Sequence, residues 1–105
     1  MKASLRKKLD EINKKHQEIE KSLSDQTITN NVEKYKQLSV EYSKLEQIVK
    51  EYKKYISYED SLHESEEISK NETGDLKKLA DEEIKIAKEE ISILEKNLEI
   101  SLLPE

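Results

Sequence analysis

Apolar side chains recur every three or four residues along three stretches of this chain, and two polar breaks separate these stretches. Such spacing places the apolar groups on one face of an α-helix. The 105 residues include a single glycine and a single proline. A β-sandwich or barrel needs a turn about every 8–12 residues, so the chain has too few turn-forming residues for such a fold. The pattern predicts an all-α protein of one small domain, residues 1–105.

The two breaks set the limits of the helices. The first, Ser24–Asn31, is rich in short polar side chains, which favour a turn. We expect Asn30 to cap the second helix and Glu33 to complete a capping box. Thr73 is the expected N-cap of the third helix, and Pro104 stops it because proline cannot continue a helix. The predicted helices span residues 4–23, 31–67 and 74–102.

The predicted second helix is much longer than the first, at roughly 55 Å for 1.5 Å per residue. Both breaks are short, as is typical of antiparallel neighbours. We therefore predict an elongated antiparallel three-helix bundle, or coiled coil, with one long central helix. The first helix covers the start of this central helix, and the third folds back along its end.

The apolar stripes predict which side chains form the core. On the third helix, the predicted seam is Leu76, Ala80, Ile84, Ala87, Ile91, Leu94 and Leu98. A second stripe at strict seven-residue spacing consists of Leu79, Ile86, Ile93 and Ile100. It can pack within the bundle, against further domains or against a second copy. On the central helix, Tyr35, Tyr42 and Tyr52 fall on the core stripe, while Tyr55 and Tyr58 are expected to face outward.

Charge and composition narrow the functional classes. Lysine, arginine, aspartate and glutamate make up 41% of the chain, the net charge is −5 and cysteine is absent. No apolar run reaches the roughly 18–20 residues of a membrane span, and no secretory signal is visible. We expect a cytoplasmic protein with no membrane contact. Residues 1–24 carry a net charge of +3, so their basic side chains either touch a polyanion or pair with acidic neighbours. The candidates for contact with a polyanion such as RNA are Lys7, Lys8, Lys14 and Lys15.

The side chains that could do chemistry are few. His16 lies within the core stripe of the first helix and is expected to pack there. His63 has acidic neighbours but lacks the second ligand motif of a helical metal site. The pairs Glu82–Glu83 and Glu89–Glu90 point in different directions from a helix, which favours surface charges. We predict no catalytic, metal or cofactor-binding residues, no cofactor, no small-molecule substrate and no enzyme activity.

The sequence resembles the N-terminal region of the bacterial peptide chain release factor 1 family, the class I factors for UAA and UAG. The likeness covers nearly the whole chain in order, except for residues 56–71. Gly74 stands where the family usually has proline, and Ser101 replaces a frequent leucine. The matching residues are Met1-Lys2, Ser4-Leu5, Lys8-Leu9, Leu23-Ser24-Asp25, Tyr35-Lys36-Gln37-Leu38-Ser39, Glu41-Tyr42, Leu45-Glu46, Ile48-Val49, Ala80-Asp81-Glu82-Glu83, Leu94-Glu95 and Leu102-Leu103-Pro104.

The resemblance implies a helical module that positions a termination factor on the ribosome, near the stalk base, and bears on the action of the GTPase release factor. The family's Gly-Gly-Gln loop and its codon-reading tripeptide belong to later domains, which this chain lacks. We expect the chain to be the N-terminal module alone, cut from a longer protein. The alternative is an autonomous coiled-coil interaction or chaperone-like protein, because that class has the same amphipathic pattern.

Overall fold

The computed structural model describes residues 1–103, which form four helices and no strand. The prediction of an all-α fold with one long central helix is confirmed. The central helix has 40 residues. The predicted stop at Pro104 lies outside the described residues. The helices are α1 Ala3–Leu23, α2 Gln26–Thr29, α3 Val32–Asn71 and α4 Asp75–Ser101.

The first break contains a short helix, α2, where a turn was predicted. Asp25 precedes it, and Oδ1 of Asp25 accepts hydrogen bonds from the Thr27 hydroxyl at 2.8 Å and the Thr27 backbone N–H at 2.9 Å. These two bonds favour the ionised carboxylate and lower the pKa of Asp25. A polar side chain typical of turns therefore acts here as the N-cap of one helical turn.

The long helix α3 is capped by Asn31, so the prediction that Asn30 caps it was wrong. Oδ1 of Asn31 accepts a hydrogen bond from the backbone N–H of Lys34 at 3.2 Å, the bond expected of an N-cap. Asn30 still belongs to the end of α2, because its backbone N–H donates to the Gln26 carbonyl at 3.0 Å. Lys34, and not Glu33, then occupies the third helical position.

The end of α3 lies at Asn71, beyond the predicted limit at residue 67. Side chains of α4 support this extra turn. Nζ of Lys77 donates to the backbone oxygen of Ser69 at 3.1 Å, and Oγ of Ser69 donates to Oδ1 of Asp81 at 2.5 Å. The last carbonyl groups of a helix lack partners within the helix. Here Lys77 of α4 donates a hydrogen bond to one of these carbonyl groups.

The N-cap of α4 is Gly74, and the prediction of Thr73 was wrong. Gly74 has φ 69° and ψ −136°, and no side-chain hydrogen bond caps the helix. Residues with a Cβ atom rarely adopt a positive φ, whereas glycine does so readily. The chain reverses direction at its single glycine, so backbone freedom, rather than a capping hydroxyl, determines where α4 begins.

The chain divides into two compact units, which are described separately. Unit 1 is Met1–Lys50 and contains α1, α2 and the start of α3. In this unit α1 packs against α3, as predicted, through contacts that include an ion pair between Lys15 and Glu41. The buried residues of unit 1 are Leu9, His16, Ile19 and Val49.

Unit 2 runs from Glu51 onward and contains the rest of α3 together with α4. The hydroxyl of Tyr55 donates to Oε1 of Glu95 at 3.1 Å, and Ser69 meets Asp81. Contacts that advance along α3 therefore go backward along α4, so the two helices are antiparallel, as predicted. The buried residues of unit 2 are Tyr52, Tyr55, Ser65, Ala80, Ala87, Leu94 and Leu98.

Three side chains depart from the predicted core. Tyr35 and Leu76 are exposed, because each lies in the first turn of its helix, where the hairpin ends. Tyr55 was expected to face outward but is only 2% exposed. Its ring stacks on that of Tyr52, with centroids 6.5 Å apart, and Glu95 accepts its hydroxyl hydrogen.

Candidate functional site

His16 forms the most enclosed polar cluster of unit 1. Nε2 of His16 lies 2.5 Å from Oε2 of Glu46 and donates a hydrogen bond to it. The imidazole also stacks on the ring of Tyr42, with centroids 4.4 Å apart. The bond from His16 lowers the pKa of Glu46, while burial raises the pKa of Tyr42. His16 joins α1 to α3, in agreement with the packing role expected for it.

The other candidate acid–base and metal-binding groups lie on the surface. His63 is exposed on α3, and the glutamates Glu82, Glu83 and Glu89 are exposed on α4. Within residues 1–103, no group of three side chains of histidine, cysteine, aspartate or glutamate is arranged to hold a metal ion. Glu82, Glu83 and Glu89 all lie beside the second apolar stripe of α4.

The four candidate lysines do not form one patch. Lys7 and Lys14 line a groove on α1 that also includes acidic side chains. Nζ of Lys15 lies 2.7 Å from Oε1 of Glu41, and this bond raises the pKa of Lys15. Lys8 is exposed and lies about 100° around the helix from Lys7. Of the two readings of the basic segment, pairing with an acidic neighbour holds for Lys15.

The second apolar stripe of α4 is exposed. We call it the α4 stripe, and it consists of Leu79, Ile86, Ile93 and Ile100. Each side chain retains between 53% and 66% of its accessible surface. The buried seam of α4 lies one residue further along, which is about 100° around the helix. The sequence identified this stripe but could not tell whether a neighbour covers it.

A groove between α3 and α4 in unit 2 runs beside the centre of the α4 stripe. Its lining includes Tyr58, Lys54, Ile93 and the two glutamates Glu51 and Glu90. Tyr58 was expected to face outward, and it lies half-exposed here. Nothing in the sequence pointed to this groove, because its lining residues are distant in the chain and come together only when α4 folds back on α3.

These features define the chain as an all-helical module whose notable surfaces are an apolar stripe and scattered charges. Residues 12–105 match the model of the PCRF domain. The chain therefore belongs to the PCRF domain family, a non-catalytic helical domain of peptide chain release factors. The predicted resemblance is confirmed at the level of the release factor family. No solved structure matches the chain. None of the helices within residues 1–103 combines the length and apolar character that crossing a membrane requires.

Proposed function

We propose that the chain is the N-terminal module of a cytoplasmic class I termination factor that acts on the ribosome at UAA and UAG codons. The observation that carries this proposal is the PCRF domain match over residues 12–105. The assignment to UAA and UAG rests on the ordered resemblance of short motifs, from Leu23-Ser24-Asp25 at the first break to Leu102-Leu103-Pro104.

The module serves positioning and binding rather than catalysis. A Gly-Gly-Gln loop cannot occur in a chain with one glycine. In the acidic pairs of α4, Glu82, Glu83 and Glu89 are exposed and Glu90 lines an open groove, whereas general acid–base catalysis requires a carboxyl group held against its substrate. The proposed partners are the ribosome near its stalk base and the GTPase release factor. No cofactor and no small-molecule substrate form part of the proposal.

Contact with ribosomal RNA would involve the lysines of α1 unequally. Lys7 and Lys14 face one groove, whereas Lys15 is already paired with Glu41. We expect the double variant Lys7→Gln, Lys14→Gln to weaken ribosome binding and to reduce its salt dependence. The slope of log K against log salt should fall by about 0.9 for each lost phosphate contact. Among single variants, Lys15→Gln should have a smaller effect than Lys7→Gln or Lys14→Gln. Equal effects in cosedimentation assays would exclude this arrangement.

The function is tested by two measurements. The gene should encode a Gly-Gly-Gln loop downstream of the Glu105 codon. A stop codon directly after the Glu105 codon would instead favour an autonomous coiled-coil or chaperone-like protein. In a reconstituted termination assay, the chain alone should release no peptide from a ribosome halted at UAA. Peptide release by the isolated chain would contradict the positioning role.

A further inference from the structure

The α4 stripe is long, regular and bordered by acid. From Leu79 to Ile100 the helix advances by 21 residue steps, or about 32 Å. The seven-residue spacing keeps these four side chains on one face of α4, with one apolar side chain every two turns. Scattered exposed apolar residues are ordinary on a protein surface, whereas four of them aligned along one face of a helix indicate an interaction site. The geometry therefore fits a second helix lying along α4.

The charges beside the stripe indicate the chemistry of that helix. Glu82 and Glu89 follow Leu79 and Ile86 by three residues, and Glu83 and Glu90 follow them by four. Positions three and four residues apart are neighbours on a helix, so carboxylates border the central part of the stripe on both sides. The whole chain is also acidic, with a net charge of −5. A partner helix with basic side chains beside its apolar ridge would complement this surface.

The groove next to Ile93 adds an independent observation. Glu51 and Glu90 both line it, so its rim carries two carboxyl groups beside Lys54. Oε2 of Glu51 has no accessible surface and accepts no hydrogen bond within the described residues. A buried carboxylate oxygen without a partner is costly. Because this oxygen is closed to solvent, a basic side chain entering the groove would reach it only after the Glu51 side chain turns outward, while apolar groups cover Ile93.

A second copy of this chain fits the surface poorly. In a parallel pair with the stripe at the seam, Glu82 and Glu89 would also fall at the seam and would face their own counterparts. In an antiparallel pair centred between Ile86 and Ile93, Glu89 of one copy would meet Glu90 of the other. Like charges facing each other across a helix pair disfavour that pairing and select against it.

We propose that the α4 stripe and its adjoining groove form a docking surface for an amphipathic helix of another protein, with basic residues beside its apolar ridge. This inference goes beyond the release factor role, because it concerns a surface that the family assignment does not identify. Its failure would leave the proposed function intact, since the termination assay does not test helix docking.

The test uses two synthetic helical peptides of 28 residues with identical leucine ridges. One carries lysine at every flanking position, and the other carries glutamate. Fluorescence anisotropy with the full 105-residue chain should show saturable binding of the lysine peptide, at least about tenfold tighter than the glutamate peptide. Raising the salt concentration should weaken this binding, because exposed charges are screened. Absence of binding by the lysine peptide would overturn the proposal.

Variants separate docking from general charge attraction. The double variant Ile86→Asp, Ile93→Asp should weaken binding of the lysine peptide at least about tenfold, as for central interface residues. General attraction would instead increase, since the variant adds negative charge. The pair Ile86→Gln, Ile93→Gln repeats the test without a charge change, and circular dichroism checks that the helices remain. Val40→Asp is the matched control, because Val40 is 54% exposed on unit 1. Unchanged binding in both stripe variants would overturn the proposal.

The stripe variants also address self-association. Sedimentation equilibrium of the parent chain should show a monomer. A dimer that Ile86→Asp, Ile93→Asp dissociates would overturn the proposal and assign the stripe to a second copy.

Discussion

The two units share the long helix α3 but bury different kinds of side chain. Unit 1 places an ionisable residue, His16, in its buried layer, where it is hydrogen-bonded to Glu46. In unit 2 the buried layer is formed by tyrosine, leucine and alanine, and Ser65 is its polar member. Two segments with the same apolar spacing therefore depend on different interactions. The stability of unit 1 should respond to pH, whereas that of unit 2 should respond to side-chain volume.

The largest expected effect is that of truncating Leu98. This side chain is fully buried in unit 2, with 0% exposure. Replacing a buried leucine by alanine removes apolar contacts and leaves a cavity, at a cost of about 2–5 kcal/mol. We expect Leu98→Ala to lower the free energy of unfolding in urea by that amount. A variant as stable as the parent would show that the α4 seam does not hold unit 2 together.

The next effect comes from enlarging the same seam. Ala87 is 4% exposed, so a larger side chain at this position would meet the groups packed around it. Adding bulk to a packed core costs about 1–3 kcal/mol. Ala87→Ile should therefore destabilise unit 2 in urea denaturation, although isoleucine is more apolar than alanine. An increase in stability would mean that the seam contains free space.

The next prediction concerns the pH dependence of the stability of unit 1. The hydrogen bond from His16 lowers the pKa of Glu46 in the folded chain. A carboxyl group with a depressed folded-state pKa stabilises the fold above its unfolded pKa, and this stabilisation is lost as the pH falls through the folded value. Glu46→Gln should therefore melt at a lower temperature than the parent near neutral pH, and the difference should vanish in acid.

The matched control for this pH response is Glu83→Gln on the exposed face of α4. It should melt like the parent throughout the pH range. If the Glu46→Gln difference persisted unchanged in acid, the bond between His16 and Glu46 would not be the source of the stabilisation.

The sequence predicted where the helices lie, but it did not predict which of their side chains are covered by a neighbouring helix. Spacing of three and four residues identified α1, α3 and α4, because each must bury one face. It also placed His16 in the core correctly. It misplaced Tyr35 and Tyr55, because whether a stripe is covered depends on where the neighbouring helix ends. The N-cap at Gly74 was missed because a capping hydroxyl and a glycine turn compete for the same junction.

The candidate site, too, could be predicted from the sequence only in part. The regular spacing of the α4 stripe and its flanking glutamates can be read directly from the chain. Its exposure cannot, because α4 carries two apolar stripes and either could face α3. The stripe that contains the alanines at positions 80 and 87 became the buried seam. The groove beside Tyr58 could not be predicted from the sequence, because its lining residues come together only when α4 folds back on α3.

The smallest expected effect is that of truncating Ile86, the exposed residue next to the buried Ala87. Ile86 is 54% exposed, whereas the next residue, Ala87, is buried. Substitutions of exposed side chains usually change stability by less than about 0.5 kcal/mol. Alanine also has a higher helix propensity than isoleucine, so Ile86→Ala should leave the free energy of unfolding unchanged or slightly raised. Paired with the loss expected for Ala87→Ile, this result would place the boundary between core and surface within one residue step of α4. A loss of 2 kcal/mol or more, the range of a core truncation, would mean that the stripe is covered in solution and is not available to a partner.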